Sequence, residues 1–179
     1  MAQGGERGLL LCHTLELVAL AVWVGGLVVI VGAVIPAVFN SFGMEPGGRF
    51  LTKVFDGYNR LTVAAIAMLA GTTGWQAWRS RREAVPESGG RRLGRIEVAL
   101  LGVMIAIAAL IILVLGPSSV TLQEQAFAAQ GEAAKKTAYD AFFRTHTVVR
   151  ALYVVNLGLG IGLLAVKAAR WTNVKQAQA

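Results

Sequence analysis

LVALAVWVGGLVVIVGAVIPAVFNSF, residues 17–42, runs without one charged side chain. A helix needs roughly 20 apolar residues to cross a bilayer, so this stretch is more than long enough. Apolar character begins earlier still, at Leu9. Three further uncharged runs follow: Leu61–Trp78, residues 98–115 up to Gly116-Pro117, and Ala151–Val166. The last is extended at its start by Thr147-Val148-Val149. Charged residues collect in the connectors between the runs, which is the pattern that a bilayer imposes. Spanning helices are therefore expected at about 9–36, 59–79, 96–115 and 146–168. The fold class is all-α: a polytopic membrane four-helix bundle in a single integral domain, residues 1–179.

Composition agrees. Of the residues, 55% are hydrophobic and only 15% charged, with a mean hydropathy of +0.59, whereas soluble domains carry about 25% charged residues. The first run is too long for the hydrophobic core of a secretory signal, contains Glu16 at its start, and has no small-x-small cleavage site before the next polar segment. It reads as a retained helix.

Orientation follows from Lys and Arg. The connector Arg79–Arg95 holds six arginines; with Arg7, Lys167, Arg170 and Lys175 its side carries ten cations against seven on the other. Both termini are expected in the cytoplasm and the protein in the inner membrane. The net charge of +7 reflects this arginine cluster and contact with anionic headgroups. Nucleic acid is not an expected partner, because no aromatic residues interleave with the basic ones to stack on bases. With Cys12 the single cysteine, no intramolecular disulfide or CxxC site can form.

Two segments should face outward. Residues 36–58 carry Gly43, Pro46, Gly47 and Gly48, then Phe50, Val54 and Phe55 at helical spacing. Residues 118–145 are mostly good helix formers, with Leu122, Ala126, Ala129 and Ala133 on one stripe and Gly131 as an interruption. The second segment is expected to be an amphipathic helix lying on the outer surface and running into helix four; a solvated connector is the plainer alternative. Small residues mark where membrane helices can approach. Gly25 and Gly32, Gly71, and Gly158 with Gly162 are the expected packing positions, within the bundle or against a second membrane protein.

Ionisable groups in or near the membrane are the candidates for function, because lipid makes them costly. His13 and Glu16 are three apart on one helical face, and Glu97 opens helix three on the same side. These three could relay protons or hold a metal; alternatively they snorkel to the interface or pair with Arg7 and Arg95. On the other side Arg144, His146 and Arg150 surround the start of helix four, near Asp56 and Arg60. An anion or lipid phosphate could bind there, or the group could simply anchor the helix. A haem held by both histidines is excluded by topology: His13 and His146 start helices one and four, on opposite membrane faces about 30 Å apart. Met68 and Met104 are isolated, and no metal-rich motif supports copper. No cofactor or metal is expected. Asn156, Thr72 and Thr73 lie mid-span and suit interhelical hydrogen bonds or, in a transporter, a wet path. No nucleophile–base set, P-loop or dinucleotide fingerprint is present.

His13, Trp23-Val24-Gly25-Gly26, Pro36-Ala37-Val38-Phe39 and Phe55 to Tyr58 together resemble the first half of the transmembrane protein 205-like family. Gly116-Pro117 and Phe142-Phe143-Arg144-Thr145-His146 resemble its second half, so the likeness covers roughly Leu9 to Lys167. The resemblance implies a four-helix membrane domain without an assigned activity. Trp23-Val24-Gly25-Gly26 is also similar to copper-resistance D-type membrane proteins, whose metal-binding richness is missing here. The expectation is a non-catalytic accessory subunit or scaffold, docking to a membrane protein partner or to itself in the lipid bilayer. The alternatives are a transporter for a small solute or metal ion, and a haem- or copper-binding redox protein.

Overall fold

A computed structural model describes residues 2–82 and 94–176. Among these every long element is helical. Helix α1 (Ala2–Val29) passes through a π turn (Ile30–Val34) into α2 (Ile35–Phe42), and the three form one rod. Helix α3 (Met44–Arg82) is the second rod. Helix α4 (Arg95–Leu110), a π turn (Ile111–Leu115) and α5 (Gly116–Ala128) form the third, and α6 (Glu132–Gln176) is the fourth.

The prolines explain the π turns. Pro36 and Pro117 have no N–H, and in a regular α-helix each ring would press on the carbonyl four residues back. One wider turn placed just before each proline relieves this without ending the rod. Accordingly Ile35 N–H donates to Ile30 O, and Gly116 N–H donates to Ile111 O. Gly116 is required there, since a Cβ would sit 2.9 Å from the Ile111 oxygen. The chain turns instead at two glycines with positive φ, Gly43 (75°) and Gly131 (82°), a backbone conformation that other residues rarely adopt. Glu45 and Glu132 then stand in the first turns of α3 and α6, where the helix dipole favours a carboxylate.

Four helices are therefore present, as expected, but the inferred ends are corrected. Rod one continues to Phe42 rather than 36, α3 begins at Met44 rather than 59, rod three reaches Ala128 rather than 115, and α6 starts at Glu132 rather than 146. The expected surface helix between helices three and four is replaced by a hairpin, in which α5 prolongs α4 and α6 folds back along it. Rods one, three and four are long and apolar enough to cross a membrane; α3 has the length, but Thr72, Thr73, Gly74 and Gln76 dilute its apolar run. The 45 residues of α6 measure about 68 Å, well beyond the ~30 Å hydrocarbon layer. Rods two, three and four extend past their apolar runs at the end bearing the two glycine turns, while rod one ends with its uncharged run at Phe42.

Helices α1 and α6 form the central pair, with α3 flanking α1 and α4 flanking α6. Leu20, Leu69, Met104, Ile111 and Leu163 are fully buried between them. Lipid tails are as apolar as these side chains, so close packing rather than water exclusion holds the pairs together. The tightest crossing is at Gly160, where a Cβ would lie 2.5 Å from Val24 and 3.3 Å from Met104. At Gly26 a Cβ would meet the Tyr58 ring at 3.1 Å, and this gap lets the Tyr58 hydroxyl donate to the Trp23 carbonyl at 2.8 Å. The expected packing positions Gly25, Gly32, Gly71, Gly158 and Gly162 have nothing within 4 Å of where a Cβ would stand. Helical periodicity turns them away from the neighbouring rods, while Gly26 and Gly160 face inward.

Candidate functional site

Polar side chains gather at two levels. The first is at the terminal end, where α1, α3 and α6 meet. The Glu16 side chain is 2% exposed; its Oε2 lies 2.6 Å from Lys167 Nζ and 3.7 Å from His13 Nδ1, and its Oε1 accepts from Gln76 Nε2 at 2.9 Å. A buried carboxylate is tolerable when paired and hydrogen-bonded in this way. His13 and Glu16 come together as their spacing implies. The partner of Glu16 is Lys167, while the side chains of Arg7 and Arg95 lie outside the described residues. Glu97 is buried on the first turn of α4, yet no three His, Cys, Asp or Glu among the described residues could hold one metal ion. Glu16 and Lys167 form an interhelical ion pair with His13 beside it.

The second level is at the turn end. A cleft of about 990 Å³ lies between the α2–α3 hairpin and the α5–α6 hairpin. Its walls are mainly apolar, with Phe39, Leu51, Phe55, Val120, Phe127 and Phe142 among them. Asp56, Asn59, Arg60, His146 and Arg150 supply charged or polar groups on the side nearer the apolar runs. Arg60 pairs with Asp56 at 2.8 Å, Tyr153 donates to Asn59 Oδ1 at 3.1 Å, and the His146 ring stacks on Phe142 at 5.3 Å. Arg150 makes no ion pair among the described residues. The inferred trio is thus divided: His146 and Arg150 line the cleft, while Arg144 is exposed and lies off its walls.

A clasp closes the far end. Arg49 donates to both oxygens of Glu124, at 2.9 and 2.7 Å, and its guanidinium lies 5.2 Å over the Phe127 ring. Both charged partners are about half exposed, so the pair contributes under ~1 kcal/mol to stability; its importance is in joining the two hairpins. Below the cleft, Asn156 and Thr62 are buried, and among the described residues Asn156 Oδ1 and Thr62 Oγ1 have no hydrogen-bond partner. Thr72 is also buried, and its hydroxyl donates to carbonyls of its own helix.

Residues 18–128 match the domain of unknown function DUF4149, over more than half of the chain. The protein belongs to this family. The matched DUF4149 stretch includes Trp23-Val24-Gly25-Gly26, both π turns and the α2, α3 and α5 walls of the cleft. It stops short of α6, which brings His146, Arg150 and Lys167. No curated protein and no solved structure matches the chain.

Sequence reasoning did not find the cleft, the clasp, Gln76 or the role of Lys167. The Arg49–Glu124 pair left no local signal, because 75 positions separate its members. Asp56 and Arg60, four apart on one helix, were the legible part.

Proposed function

We propose that the protein is a four-span module of the inner membrane, with both termini cytoplasmic, that works by binding and has no catalysis of its own. The observation that carries this reading is the cleft. Its size lies at the upper end of small-molecule sites, and its apolar walls with a few polar groups have the make-up of a binding pocket. Its carboxylate, Asp56, is tied to Arg60, which suits electrostatic shaping better than proton transfer.

Counting α3 as the fourth span is supported by the exposure of Leu61, Val63, Met68 and Trp78 along its uncharged run, where lipid would cover them. The arginine-rich connector that argues for orientation lies outside the described residues for the most part. The likeness to the transmembrane protein 205-like family rests on Trp23-Val24-Gly25-Gly26 and Pro36–Phe39 in the sequence. A membrane protein partner or a second copy would find bare helix surface at Gly25, Gly32, Gly71, Gly158 and Gly162. A transporter is the second reading, favoured by the unpartnered Asn156 and Thr62 oxygens below the cleft.

Native mass spectrometry of the protein released from mild detergent tests the binding reading. Wild type should retain a small-molecule adduct that Val120→Trp, which fills the cleft, does not retain. An adduct unaffected by Val120→Trp, or none in wild type, would discard it. A visible absorption band from haem, or near-stoichiometric copper, would replace it with the redox reading.

A further inference from the structure

We propose that the cleft takes an anionic single-chain amphiphile, its acid group held by Arg150 and its chain laid along Phe55, Phe127 and Phe142. This rests on the binding reading above and adds the ligand class. The charges on the walls carry it. Among the described residues Asp56 is the only carboxylate lining the cleft, and Arg60, one turn on, pairs with it at 2.8 Å. Arg150 also lines the cleft and has no carboxylate partner among the described residues, which leaves one unmatched cation and no unmatched anion. Asn59 also lines the cleft; its amide oxygen accepts from Tyr153, and its amide nitrogen makes no hydrogen bond among the described residues. A guanidinium and an amide donor on the walls of one cleft suit a carboxylate or phosphate monoester, not an ammonium or an alcohol.

Depth supports the same occupant. Lys167 and Arg150 lie on one uninterrupted helix, 17 residues apart, which is about 25 Å of rise. With the Glu16–Lys167 pair at the inner edge of the hydrocarbon layer, Arg150 stands near the outer edge, at headgroup level. An acid in the outer leaflet meets Arg150 there without crossing the apolar layer. The aromatic walls begin at the same level and continue outward to the Arg49–Glu124 clasp, giving the chain an apolar course.

The test is photolabelling of the full chain in phosphatidylcholine nanodiscs with a diazirine-bearing fatty acid, and with the fatty alcohol and fatty amine of equal length. The expected result is labelling of cleft peptides by the acid, at least about tenfold stronger than by the alcohol or amine, as one charge-assisted hydrogen bond implies. Arg150→Gln should lower the acid's labelling by a similar factor and leave the alcohol's unchanged. Arg144→Gln, on the same helix but off the cleft, should change neither, and Arg150→Lys should recover part of the loss. Equal labelling by acid and alcohol, abolished by Val120→Trp, would overturn the anion assignment while the cleft remains a binding site. Labelling that Val120→Trp does not reduce, or none because a second copy covers the cleft, would overturn both. Suppression of the label by inorganic phosphate at a concentration equal to the acid's would also overturn the proposal, since the chain would then add nothing to binding.

Discussion

Glu16 shows how much one buried charge depends on its neighbours. Lys167 and Gln76 come from two other helices, and His13 from one turn back. Lys167→Met would leave the carboxylate buried without its cation, and such losses cost about 3–5 kcal/mol. Glu16→Gln/Lys167→Met, which removes both charges and keeps an amide beside Gln76, should recover most of that stability. Thermal unfolding in mild detergent, followed by tryptophan fluorescence, measures the cycle; a double variant no better than Lys167→Met would show that the pair is not the stabilising unit. A second comparison separates facing from non-facing glycines. Gly160→Ala pushes a methyl to 2.5 Å from Val24 and should cost about 1–3 kcal/mol, whereas Gly158→Ala meets nothing and should be near neutral. Equal effects would mean that the α1–α6 crossing is not as close as described. At this scale the sequence showed which groups were costly to bury but not their partners, since 151 positions separate Glu16 from Lys167.

Helix boundaries were legible on one side of the bundle and misleading on the other. Charged residues mark where the apolar runs stop; at the terminal end α3 and α4 keep close to the expected bounds, while α1 begins at Ala2 and α6 runs to Gln176, about two turns beyond them. At the turn end Pro36 and Gly116-Pro117 look like stops, because proline usually ends or kinks a helix. A π turn absorbs each one, so the rods continue into a part of the molecule whose polar residues resemble connectors. The cleft was hidden for that reason: its charged wall residues Asp56, Arg60 and Arg150 lie just outside the apolar runs, and which walls face one another depends on where the true turns fall. Gly43 is one of those turns, with φ 75° and ψ −169°, a region open essentially to glycine alone. Gly43→Ala should therefore lower stability by about 1–3 kcal/mol, while Gly57→Ala, mid-helix in α3 with open space around it, should be neutral or slightly favourable. The same unfolding assay decides between them, and a neutral Gly43→Ala would place the reversal elsewhere.

For the molecule as a whole, the alternating rods put both glycine turns at one end and the helix ends at Ala2, Arg82, Arg95 and Gln176 at the other. That arrangement turns the orientation of the bundle into a single two-way choice. Six arginines in one short connector favour the cytoplasm for the terminal end, because cytoplasmic loops retain Lys and Arg during insertion. The ten-to-seven total alone would be a weak guide. Cysteines introduced one at a time into a Cys12→Ala background test the choice, using a membrane-impermeant maleimide on intact spheroplasts. Ser41→Cys and Gln130→Cys, at the two turns, should label without permeabilisation, and Ser88→Cys only after it. Complete reversal would invert the orientation and place the cleft in the cytoplasm, where an outer-leaflet acid could not reach Arg150. Labelling of one turn without the other would contradict the alternating bundle itself, since α3 would then not cross the membrane. The measurement therefore bears on the fourth span, the direction of insertion and the leaflet from which the cleft could draw a ligand.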